Sequence, residues 1–320
     1  MDEKTHTLNH VPEKRMRHAI LGAGAVGGLI GAALAHQGDR VTLLLRPEAY
    51  TQYPRHLLVD RPSGNIKASV RHATNLNEPV DVLWVAVKAH QLVAALRAVP
   101  ADGSGIATIV PLLNGIDHVP VLRSVFNHER VIPGTIAVES ERVEPGRIIQ
   151  RSAFARLTLS AAGERQLGGV AARLRHAGLS CEFQTDEKTM LWSKLAFLAP
   201  FALISTAANK TIGEIFADPA WRARLESAAR EACAAATADG AFVNQTKILA
   251  TLQSLPATMR SSMQKDVSAR RMPELDAIGS AIVRAGRRNG LDTPTTRELI
   301  AAIQLRLNEQ DRRGTATDSM

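Results

Sequence analysis

The chain has 320 residues, a length that suits roughly two domains of about 150 residues each. Hydrophobic residues make up 45% and charged residues 22%, ordinary values for a globular protein, and two cysteines are too few for a disulfide framework. Lys plus Arg at 39 against Asp plus Glu at 31 gives a net charge of +8, but the basic residues are scattered and aromatics are only 4%, which argues against a nucleic-acid partner.

Residues 1–16 and 309–320 are polar and unpatterned and read as disordered tails. Between them, the first half alternates apolar runs with helical patterns. Residues 18–21 read as a strand. Residues 25–37 read as a helix with Val26, Leu29, Ile30, Ala33 and Leu34 on its apolar face, stopped by Gly38. A strand over 40–45 follows, then a hairpin of 57–59 and 66–70. Next come a strand over 80–87, a helix over 91–99, a strand over 106–112, a short helix near 117–126 and a strand over 130–132. Residues 147–149 and 156–159 read as strands, 164–177 as a helix, and 180–183 as a further extended stretch. Runs such as VDVLWVAV, apolar without alternation, belong to strands buried on both faces of a parallel sheet. From 185 onward the pattern is helical, over 186–210, 219–238, 247–255, 273–289 and again from 295. The reading is an α/β domain over 17–185 followed by an all-α domain over 186–308.

The longest apolar run, 191–208, contains Lys194 and Pro200 and reads as a core helix rather than a membrane span. The polar N-terminus lacks the apolar core of a secretory signal. Neither the ten histidines nor Cys181 and Cys233 show metal-ligand spacing, so no metal is expected. A reducing, cytoplasmic setting fits best.

The strongest local signal is Gly22-Ala23-Gly24-Ala25-Val26-Gly27, set between a predicted strand and a predicted helix. Gly22 permits the tight turn, Gly24 lets backbone approach a pyrophosphate, and Gly27 lets helix and strand pack closely. The helix N-terminus then offers N–H groups and partial positive charge to phosphates. This defines the first domain as Rossmann-type and dinucleotide-binding. The second strand ends in Leu45-Arg46-Pro47 rather than in the carboxylate that holds an NAD ribose. A guanidinium there matches a 2′-phosphate, so the expected cofactor is NADP(H). Other strands deliver Lys88 and Asn114-Gly115 to the same sheet edge, where ligands bind in open parallel sheets.

GAGAVGG, LLLR, VAVKAHQ, LLNG, PGT, LWSKLAF, SSMQKD and PELDAIGSAIVRAGRRNG occur in an order and spacing that resemble the ketopantoate reductase family, of PanE/ApbA type. The resemblance spans about 18–305. It implies NADPH-dependent reduction of 2-dehydropantoate (ketopantoate) to pantoate, in pantothenate biosynthesis, in a cleft between the two domains. It further implies that Lys194 is the catalytic general acid, that Glu274 is the active-site glutamate, that Ser262 contacts substrate, and that Lys88 and Asn114 serve cofactor and substrate. The partner is then a small 2-oxo acid, with no nucleic acid and no membrane, and a homodimer is compatible with the reading.

The sequence also departs from the family. Leu198, Ala202 and Met259 stand at substrate-facing positions where the family commonly has Asn, and Gly279-Ser280 replaces a usual Asn-Gly. These positions make the substrate pocket more apolar. A reductase of a different, more apolar 2-oxo acid is therefore an alternative, and a non-catalytic NADP(H)-binding sensor is a second.

Overall fold

A computed structural model describes residues 15–317; residues 1–14 and 318–320, which belong to the expected tails, lie outside the described residues. The chain forms β1 (Arg17–Leu21), α1 (Ala25–His36), β2 (Arg40–Leu44), the single turn α2 (Pro47–Tyr50), β3 (His56–Asp60), β4 (Ile66–Ser69), β5 (Arg71–Ala73) and β6 (Val80–Val85). It continues through α3 (Leu92–Ala95), β7 (Ile106–Pro111), α4 (His118–Val125), β8 (Gly134–Ala137), β9 (Ser140–Glu144), β10 (Arg147–Gln150), β11 (Arg156–Ser160), α5 (Glu164–His176) and β12 (Ser180–Gln184). The helical half holds α6 (Glu187–Ala208), α7 (Ile212–Ala217), α8 (Pro219–Ala238), α9 (Gln245–Gln253), α10 (Ser262–Ser268), α11 (Ala281–Arg288) and α12 (Pro294–Thr317).

Five parallel strands make the main sheet, in the order β5-β2-β1-β6-β7. The chain leaves β1 toward β2 on one side and returns to β6 on the other. That reversal opens a crevice at the carboxyl ends of β1 and β6, where open α/β sheets bind ligands. Val82, Leu83, Trp84 and Val85 of β6 are all buried, as a strand covered on both faces requires.

The predicted hairpin forms, but it joins a separate sheet of order β4-β3-β10-β9 rather than extending the main one. Helix α1 is caught between the two sheets, and every residue from Gly27 to Leu34 is buried. A Cβ on Gly28 would come within 2.7 Å of Ile148, so the helix buries more than the one apolar face the sequence pattern suggests. A third sheet, β12-β11-β8, carries the chain across to the helical half.

Several expected elements differ. The strand over 130–132 is reduced to one bridge between Ile109 and Val131. Pro133 has no N–H to continue the ladder, and its carbonyl instead accepts from Ser160 N in the third sheet. The helix over 91–99 breaks into one α turn flanked by 3₁₀ turns. Within that stretch only Leu92 and Val99 are buried, too little packing to regularise two turns. The helix over 273–289 opens with a π-helical segment, Asp276–Ser280. The C-terminal tail expected from 309 is helical as far as Thr317. Glu, Gln and Arg are good helix formers and propagate the helix beyond its packed part.

Helix α6 runs through the centre of the helical half against α8, α10 and α12. Among the described residues it is the one helix long and apolar enough to cross a membrane, but 72% of its most apolar window is buried inside the fold.

Candidate active site

The glycine turn is shaped as a phosphate cradle. Gly22 has φ +107° and its missing Cβ would lie 2.6 Å from Val87 N. A Cβ on Gly27 would lie 2.1 Å from the Gly22 carbonyl oxygen and 2.9 Å from Ile20, so helix and strand meet at a distance only glycine allows. Gly24, by contrast, has nothing within 4 Å of its Cβ position. That open side is where backbone can approach a pyrophosphate. Gly24 caps α1 without a side-chain hydrogen bond, so no capping oxygen takes the first-turn amides, which can serve a ligand. The chain's own geometry therefore fits a dinucleotide, with Ala23, Ala25 and Val26 supplying backbone to the turn.

Arg46 follows β2, is exposed, and lines a cavity of about 460 Å³ with Glu48, Ala49, Gln52, Tyr53 and Pro145. Tyr53 ties this cavity to the glycine turn by donating its hydroxyl to the Ala23 carbonyl at 3.3 Å. Arg142 of β9 donates to the same carbonyl at 3.1 Å. Burial raises the Tyr53 phenol above its usual range, and Gly146 and Arg142 pull it the other way. Arg142 was not foreseen, because β9 is short and mostly charged and gives no strand signal.

At the next strand ends the two halves meet. Lys88 Nζ lies 2.7 Å from Asp266 Oδ2 and donates to the Met272 carbonyl at 3.4 Å. Asp266 Oδ1 accepts from Arg271 at 2.9 Å. Glu274 accepts from Asn114 Nδ2 at 2.8 Å with one oxygen and from Ala89 N at 2.9 Å with the other. Gly115, at φ +85°, presses the Asn114 loop onto the π-helical segment, where a Cβ would lie 2.3 Å from the Ala277 oxygen. Lys265 with Glu139, Arg284 with Asp117 and Arg123 with Glu187 add further cross-links between the halves. Lys88, Asn114 and Glu274, which come from distant parts of the sequence, are thus brought to one cleft.

Lys194 reaches this cleft from α6. It is half-buried, and no side chain among the described residues hydrogen-bonds its ammonium. Burial pushes its pKa down from 10.5 to about 8, and the Glu274 carboxylate opposes that shift. The lysine therefore keeps its proton at neutral pH yet holds it loosely.

The positions expected at the substrate sort unevenly. Leu198 and Met259 are half-buried and pack on the helical core. Ala202 is 0% exposed inside that core, so its side chain does not face the cleft; its carbonyl accepts from the Ser205 and Thr206 hydroxyls instead. Ser262 is exposed on α10, whereas the neighbouring Ser261 is buried, caps α10 through Gln264 N at 3.1 Å and meets the Ser205 hydroxyl at 2.8 Å.

A nucleotide-binding α/β half, closed at its switch point by a helical half that carries a loosely protonated lysine, is the build of a two-domain dehydrogenase or reductase. The family model described as Ketopantoate reductase PanE/ApbA matches residues 18–164, and its C-terminal counterpart matches 186–306. A 2-dehydropantoate 2-reductase of Caulobacter vibrioides is 29% identical over 291 residues, covering 89% of this chain and 97% of the relative. The solved 2-dehydropantoate 2-reductase of Geobacter metallireducens superposes with a TM-score of 0.81 at 27% identity, over 91% of this chain and 99% of that one. A D-mandelate dehydrogenase solved with NADH and anilino(oxo)acetate shares the fold, with a TM-score of 0.83 at 21% identity over 92% of this chain and 100% of that one. The chain belongs to the PanE/ApbA ketopantoate reductase family. It is an oxidoreductase acting on a CH–OH group with a nicotinamide dinucleotide.

Proposed function

We propose that this protein reduces a 2-oxo acid to the 2-hydroxy acid with NADPH, with ketopantoate as the leading substrate and pantoate as the product. The observation that carries the proposal is the juxtaposition of Lys194 on α6, whose charge couples to Glu274, with Glu274 itself held at the strand ends by Asn114 and the Ala89 amide. A reduced nicotinamide dinucleotide, held by its pyrophosphate at the glycine turn, would supply the hydride to the carbonyl carbon. Charge then develops on the carbonyl oxygen. The Lys194 ammonium stabilises that oxyanion and transfers one Nζ proton to it, leaving a neutral amine and the alcohol. Glu274, held by Asn114 and the Ala89 amide, keeps negative charge near the ammonium and so helps retain its proton before turnover. Lys88 gives the cleft a second cation for the substrate carboxylate or the cofactor, once it exchanges its contact with Asp266.

Arg46 supports NADPH over NADH. It follows β2, the strand whose end receives the adenine-side ribose in Rossmann-type folds, and no ion pair engages its guanidinium among the described residues. Two observations favour a second reading of the substrate. Leu198 and Met259 present apolar surface where the family commonly has asparagine. The mandelate dehydrogenase of the same fold, moreover, was solved with an aryl-bearing oxo acid. NADPH oxidation with a panel of 2-oxo acids is the test. Turnover of ketopantoate, or of an apolar analogue, supports the reductase. NADPH binding with no turnover on any 2-oxo acid refutes it.

A further inference from the structure

His118 is the first residue of α4 and follows directly on the Asn114-Gly115 loop. It is 5% exposed, and neither of its ring nitrogens has a hydrogen-bond partner. A buried imidazole with both nitrogens unmet is costly, since neither its donor nor its acceptor regains the hydrogen bond it had in water. The packing says what stands nearby. The residue after His118, Val119, packs against Met190 and Leu191 of α6. Lys194 lies four and three residues beyond these two, on the same face of that helix. The ring is also kept neutral: burial, with the Lys194 charge as the second cause, pushes its pKa down from 6.5 to about 3. A neutral imidazole has one acceptor nitrogen, and an ammonium has three donors. The other charged groups around the pair are already engaged. Asp117 is held by Arg284, Arg123 by Glu187, and Glu274 by Asn114 and Ala89 N.

We propose that His118 is a positioning residue for Lys194: its neutral ring accepts one Nζ proton in a hydrogen bond, and the remaining donors then point at the substrate oxygen. The two groups do not hydrogen-bond in this structure; the flexible four-carbon stem of lysine lets Nζ swing to the ring as the cleft takes its ligand. The inference rests on the reading of Lys194 as the general acid. An acceptor on the ammonium stabilises its charged form, so removing it lowers the lysine pKa further.

The test compares the wild type with His118→Phe and His118→Gln. In His118→Phe, the alkaline limb of kcat/KM moves to lower pH and kcat at neutral pH falls about tenfold, while the NADPH dissociation constant stays unchanged. His118→Gln, which keeps an acceptor oxygen, brings the limb back toward the wild-type position. An NMR titration of the lysine Cε resonance, assigned by its loss in Lys194→Ala, reads the same coupling without turnover. If Lys194→Ala proves fully active, the general-acid reading falls, yet the NMR titration still decides whether His118 sets the lysine's pKa. An unmoved lysine pKa in a folded His118→Phe protein, or a Gln variant no closer to wild type than Phe, overturns the proposal.

Discussion

The α/β half and the helical half build their parts of the site from different materials. In the α/β half the proposed ligand would meet backbone: a left-handed Gly22, an open Gly24, a Gly27 packed against its own strand, and the first turn of α1. In the helical half it meets side chains on α6 and α10 and on the segment before α11, each placed by tertiary packing. The first kind of site tolerates almost no change in shape but holds any dinucleotide. The second can exchange single side chains and thereby change what the protein reduces.

This contrast is testable at each level. Lys194→Ala removes the proposed general acid and should lower kcat by about 10²–10⁴-fold. NADPH affinity, read by fluorescence titration, should barely change, because the cofactor rests on the other half. Gly27→Ala should do the reverse. Its Cβ has no room against the Gly22 oxygen, and overpacking of this kind costs about 1–3 kcal/mol. NADPH and NADH should therefore both weaken, by roughly tenfold to a hundredfold. If only one of them weakens, the cradle is not shared as described.

Leu198→Asn places an amide at a position proposed to face the substrate. It should shift the kcat/KM ratio toward ketopantoate and away from an apolar analogue by about tenfold, since a matched hydrogen bond is worth about 1 kcal/mol or slightly more. An unchanged ratio would remove Leu198 from substrate selection. Arg46→Ala should weaken NADPH by about tenfold or somewhat less, because the guanidinium is exposed and screened, and leave NADH nearly unchanged. Equal weakening of both nucleotides would contradict the assignment of the 2′-phosphate.

The same contrast explains what could be read from the sequence. The cradle was visible because glycines at fixed spacing between an apolar run and a helical pattern have one dominant physical use. The helix carrying Lys194 was visible too, as an apolar run interrupted by a cation. Two short helices were missed although signals were present: Thr211 and Glu214 form a capping box for α7, and Ser261 caps α10. The separate four-stranded sheet was not foreseen, because nothing local tells strand β3 to pair with the distant β10 rather than with the main sheet. Spacing along α6 gives the face of the helix but not which neighbours cover it. His118 carries no sequence signal, since its proposed role rests on an unmet buried ring and on a lysine charge from another element.

The central claim is that Lys194 delivers the proton, and the pH dependence of kcat/KM for 2-oxo acid reduction tests it most directly. The acid must be protonated to act, and its pKa is lowered to about 8. Activity should therefore be level on the acid side of that value and fall about tenfold per pH unit above it. Lys194→Ala should lose that limb along with its rate. A rate that stays level to about pH 10, near the ordinary lysine pKa, or a limb that survives in Lys194→Ala, would contradict the account.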